Sequence, residues 1–242
     1  MRDALDHGFT HIQDAATYPN YVDFFARRAS SAFRLALSLT TDKEMIPDRA
    51  NNAAPNAFES GSRGLEQAYR QPRIEHAQSL TQEDIQRFSK LGGDCQYATY
   101  PCHTGRRLRK IALSFERVKG AYAWRTLFDS SAKLARGSDF PVEGINPLLG
   151  VYAAVSRLRP DGTSPHEPQA CYVARLAFLF FTNLEVIAYV AFQEKELGSI
   201  KVGKRVDLVL LDRDIIKVPQ GEILMTKVNA AIIDGKITYG WM

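Results

Sequence analysis

Gly137-Ser138-Asp139-Phe140-Pro141-Val142-Glu143 sets the reading of this chain. An apolar lead-in, Ala132-Lys133-Leu134-Ala135-Arg136, precedes it, and a helix-like segment over residues 146–155 follows. Strand, polar end and helix in that order put a carboxylate at the C-terminal end of a strand, the edge at which α/β enzymes build their sites. Asp and Ser are also ordinary N-cap residues. Two readings of Asp139, catalytic carboxylate and cap of the next helix, stand side by side at this level.

The same pattern recurs upstream. Arg73-Ile74-Glu75-His76-Ala77-Gln78 reads as a short strand bounded by Pro72, and Thr81 with Asp84 forms a capping-box-like start to a helix over 85–91 that Gly92-Gly93 stops. A weak strand over 95–99 and helices over 106–116 and 123–131 come next, and the repetition predicts a parallel α/β layer. Nearer the N-terminus, a helix over 3–7 halted by Gly8 leads into a strand over 9–13 that ends at Asp14. A helix over 22–28 and a strand over 31–39 follow. Residues 43–56, with Pro47 and Pro55, are irregular, and Gly61 and Gly64 interrupt a helix over 57–69.

Downstream of residue 155 the pattern changes. A loop over 159–168 is rich in proline, and 171–189 is apolar enough for a buried helix or a pair of them. The segment 197–204 reads as turn-rich and hairpin-like, 207–212 as a buried strand, and 227–239 as two strands joined by a tight Asp234-Gly235 turn.

Composition bounds the possibilities. With 242 residues and 45% hydrophobic content, the chain is long enough to bury a sizeable core. Its longest apolar run, 174–181, is far too short for a membrane span and Met1-Arg2-Asp3 is not the opening of a signal peptide, so no membrane partner is expected. A net charge of +4 from 31 basic and 27 acidic residues calls for no nucleic-acid partner, and Arg106-Arg107-Leu108-Arg109-Lys110 reads as a solvated helix face in preference to a phosphate-binding surface. Cys95, Cys102 and Cys171 show no framework spacing and fit a reducing, cytoplasmic setting. Cys95, Cys102 and His103 raise the question of a zinc site, but neither a fourth ligand nor the usual two-to-four-residue gap accompanies them.

The run from Gly198-Ser199-Ile200-Lys201-Val202-Gly203-Lys204 through Asp207-Leu208-Val209-Leu210-Leu211-Asp212, with Asp234-Gly235-Lys236, resembles the C-terminal return of the amidohydrolase superfamily. The segments around His76 and Asp139, with Asn146-Pro147-Leu148-Leu149-Gly150, resemble its family 3 branch. The resemblance runs from about residue 70 to the C-terminus, and more faintly back to Gly8-Phe9-Thr10-His11. It implies an α/β fold: an incomplete TIM-like (β/α) barrel over 1–196 and a small C-terminal β-sandwich portion over 197–242. It also implies zinc or another divalent metal that activates water to hydrolyse a small-molecule, amide-like carbon-nitrogen bond. His76 matches a metal-binding histidine. Asp139 matches the aspartate that contacts the metal and moves the proton from water to the leaving nitrogen.

Departures from that pattern shape the expectation. The chain has no His-x-His, so it is read as N-terminally truncated and internally shortened. In Glu44-Met45-Ile46-Pro47-Asp48-Arg49-Ala50, Glu44 stands where the resemblance implies a histidine ligand, and Pro47 replaces a glycine. Carboxylates bind zinc, so the resemblance implies Glu44 as a substitute ligand. Two functions follow from these residues: a metal-dependent amidohydrolase, or a catalytically inactive homologue with a binding or structural role. The strand edges of an incomplete barrel admit a homo-oligomer in either case.

Overall fold

A computed structural model describes residues 2–17, 34–39, 73–74, 80–91, 94–98, 124–131, 133–138, 140, 144–156, 158–163 and 184–241. The chain divides into two compact units, Met1–Lys43 with Asn183–Met242, and Glu44–Thr182.

In the second unit, β3 (Arg73–Ile74), β4 (Asp94–Ala98) and β5 (Lys133–Gly137) form a parallel sheet in that order. Ile74 pairs with Cys95, and β4 pairs with β5 without a break from Asp94↔Lys133 to Ala98↔Gly137. Consecutive residues Leu134 and Ala135 point to opposite faces of β5, yet both are buried, so this strand is covered on both sides as parallel strands require. Helix α2 (Gln82–Leu91) touches α3 (Trp124–Asp129), which packs on β5 and carries the fully buried Leu127.

The start of α2 is a side-chain cap. Thr81 Oγ1 accepts the Asp84 backbone N–H at 3.1 Å and donates to Asp84 Oδ2 at 2.7 Å, while the Thr81 carbonyl accepts the first intrahelical bond from Ile85. A cap at Thr81 makes Gln82 the first helical residue, so the helix begins three residues before the Ile85 start read from apolar spacing. The carboxylate of Asp84 is buried, held by Thr81 with Arg87 Nη1 at 3.9 Å. Helix α4 (Pro147–Ser156) is capped by Asn146, whose Oδ1 accepts the Leu148 N–H at 2.9 Å. Pro147 at its first position has no N–H to leave unsatisfied. Tyr152, Ala153, Ala154 and Val155 are all buried, which marks a helix covered around its circumference at this end.

In the first unit, α1 (Arg2–Asp6) ends at Gly8, with the Phe9 N–H bonded to the Ala4 carbonyl at 2.9 Å. The following strand, β1 (His11–Thr17), pairs in parallel with β2 (Arg34–Leu39). It continues beyond Asp14, the expected end, because Asp14 itself pairs with Leu37 and a register shift carries the ladder on to Thr17↔Leu39.

Antiparallel strands β6 (Leu208–Leu211), β7 (Val228–Ile233) and β8 (Lys236–Gly240) lie side by side in that order. Asp234 and Gly235 both have positive φ, 50° and 73°, as a two-residue type I′ hairpin demands. A second segment holds this turn. The Arg205 guanidinium donates to both Asp234 carboxylate oxygens, at 2.7 and 2.8 Å, Asp207 Oδ1 accepts the Asp234 N–H, and the Val206 carbonyl accepts the Gly235 N–H. Helix α1 touches β7 and β8, where the Tyr239 hydroxyl donates to Asp6.

One expectation is corrected here. The strand at 207–212 is present, but it is not buried: Leu208, Val209 and Leu210 remain 38%, 39% and 43% exposed. An apolar run promises burial only where layers cover both faces, whereas β6, among the described residues, lies at the edge of its sheet and pairs with β7 alone. The turn-rich segment before it contains no strand, so it is not a hairpin; its lysine closes it instead, Lys204 Nζ donating to the Leu197 carbonyl and to Ser199 Oγ. Gly198 is required there. Its φ is +87°, and a Cβ would lie 2.6 Å from the Leu184 carbonyl oxygen of α5 (Leu184–Val190).

Several carboxylates are held below their ordinary range by hydrogen-bonded partners: Glu185 by Lys201 and then Ser199, Asp212 by Arg213 and the Lys227 N–H, Asp214 by Lys217 and the Ile216 N–H. A depressed folded-state pKa contributes stability above the unfolded value, near 4, that is lost as pH falls through the folded one. The urea midpoint of the C-terminal region is therefore expected to be level near neutrality and to drop below about pH 4, and a midpoint unchanged down to pH 2 would contradict these pairs. Thr81→Ala is expected to cost about 1 kcal/mol in denaturant unfolding through loss of the cap. For Gly198→Ala the expected cost is about 2 kcal/mol or more, from the left-handed backbone and the clash with α5 together.

Candidate active site

The parallel sheet decides where chemistry could sit. Because β3, β4 and β5 run the same way, their C-terminal ends open on one edge, which is where α/β folds place ligands and catalytic groups. Ile74 and Leu134 flank Cys95 at the same level, and β5 extends three residues further, to Gly137. Below the edge, Leu134, Ala135 and Leu127 form a buried support; at it, Gly137 and Ser138 are partly exposed and Phe140 is 62% exposed.

In sequence, His76 follows Ile74 by two residues and Asp139 follows Gly137 by two. His76, Asp139 and Glu44 themselves lie outside the described residues, as do Cys102, His103 and the basic cluster at 106–110. Among the described residues no group of three or more His, Cys, Asp or Glu side chains is placed to hold a metal ion. The other reading of Ser138-Asp139, as the cap of the helix that follows, loses its helix: α4 takes its cap from Asn146. Asn146-Pro147 ahead of an apolar run was the local signal for that cap.

Electrostatics among the described residues serve the scaffold. In the turn after α4, Asp161 accepts from the Thr163 hydroxyl at 2.7 Å and from the Thr163 N–H at 2.9 Å, which keeps its carboxyl below the usual range. Arg205, which the sequence reading did not single out, is the clearest omission: its guanidinium joins Asp234 bidentately and reaches Glu196 at 3.9 Å. No local signal could have found it, because its carboxylate partner is 29 residues away in sequence. Among the described residues, no helix is long and apolar enough to cross a membrane.

Known proteins share this pattern. The sequence profile described as "Amidohydrolase family", family 3, matches residues 37–239. The putative amidohydrolase YtcJ of Bacillus subtilis (strain 168) is 30% identical over 179 residues, 70% of this chain and 32% of that protein. An N-substituted formamide deformylase of Arthrobacter pascens is 30% identical over 115 residues, 48% of this chain and 21% of that one. This chain thus spans a third or less of the length of these two relatives. An uncharacterized metal-dependent hydrolase of Pyrococcus horikoshii OT3 shares the fold, with a TM-score of 0.58 at 20% identity over 89% of this chain and 43% of that one. With the profile covering most of its length from β2 to β8, the chain belongs to the amidohydrolase family, in its family 3 branch.

Proposed function

We propose that this chain is a metal-dependent amidohydrolase that hydrolyses amide-like carbon-nitrogen bonds of small molecules, with His76, Asp139 and Glu44 as its metal-binding residues. The observation that carries this reading is the family match over 37–239, a span that contains all three. The lead-in strands support it, since β3 and β5 belong to one parallel sheet and each ends two residues before a candidate ligand. The deformylase relative, by its name, acts on an N-substituted formamide, which favours the amide-like substrate class. We read the parallel layer as part of a TIM-like (β/α) barrel over 1–196 and β6, β7 and β8 as part of a small β-sandwich over 197–242. We expect a cytoplasmic protein without nucleic-acid or membrane partners, and one able to form a homo-oligomer.

The donor set fits a divalent ion. One imidazole and two carboxylates supply three protein ligands, the number that leaves a coordination position open in catalytic zinc sites. Zinc or a similar ion held there would polarise the substrate carbonyl and bring the pKa of water towards ~7. The chain's own residues do the rest. Asp139 accepts a proton at a carboxylate oxygen as water attacks, and returns it to the departing nitrogen so that the amine leaves neutral. Ser138 and Phe140, its neighbours in sequence, are partly and largely exposed.

Metal analysis of the purified chain, followed by assays on N-formyl and N-acyl amines before and after chelation, tests the proposal. A stoichiometric divalent ion is expected, with hydrolysis lost on chelation and restored by zinc. Asp139→Asn should lower kcat by about 10²- to 10⁴-fold, the range for removing a general acid-base group, and His76→Ala should lower metal occupancy. A chain that retains no ion and hydrolyses none of these amides would overturn the reading in favour of a non-catalytic homologue.

A further inference from the structure

We draw no further inference here: the strongest candidate, the exposed apolar patch that Leu208 and Leu210 of the edge strand β6 form with Ile237 of β8, carries nothing because nothing in the structure shows what covers it.

Discussion

A parallel strand pair cannot be closed by a tight turn. Each strand must be followed by a crossover that returns the chain to the same starting edge, so every loop leaving a strand emerges on the opposite one. In this protein that constraint governs β3, β4 and β5, which share one direction and an unshifted register. Its cost is burial on both faces, satisfied in β5 by Leu134 on one side and Ala135 on the other. Its yield is chemical. Residues from distant parts of the sequence, following Ile74 in one case and Gly137 in the other, leave strands of one sheet at one edge.

The first unit solves a different problem, holding the two ends of the chain together. Its members come from residues 1–43 and 183–242, and packing of α1 on β7 and β8 links them. Long-range closure of this kind costs chain entropy, growing slowly with loop length, and it is offset here by specific fits. The turn at Gly8 lies against Val209 and Val228, and the phenol of Tyr239 reaches Asp6. Around the C-terminal hairpin, hydrogen bonds from residues 205–207 meet the turn from outside. The Arg205–Asp234 pair is partly exposed and adds little by charge alone. Its bidentate geometry fixes orientation, and the accompanying backbone bonds satisfy the turn's own N–H groups.

Local signals were legible in the sequence wherever local physics decides the outcome. Asp234-Gly235 forms its turn because those residues accept positive φ, Thr81 caps because its hydroxyl reaches the third N–H of the helix, and the apolar lead-in to Gly137 is a strand. Burial was less legible. The run at 208–211 has the composition of a central strand and, among the described residues, occupies an edge, since hydrophobicity records what a segment can bury and not which layers are present to cover it. The site stands apart from both. A lone His76 or Asp139 has no local signature that separates a ligand from a hydrogen-bonded core residue or a cap, so these assignments came from the order of several segments along the chain. For Asp139 the structure adds a local argument of its own, because Asn146 already caps the helix that would have explained it away.

Glu44 has a consequence for the proposed metal site. Exchanging an imidazole for a carboxylate adds a negative charge and replaces a nitrogen donor by oxygen. A set of one imidazole and two carboxylates is harder than one rich in histidine, which narrows zinc's advantage over oxygen-preferring ions such as manganese. The extra charge also works against the ion's own effect on water: the more negative its ligands, the less positive the field that lowers the water pKa. Proton transfer at Asp139 then matters more, because a less acidic water needs a base in position to take its proton as it attacks. With Glu44 as a ligand in the proposed site, the reaction class would stay the same and part of its burden would pass from the metal to Asp139.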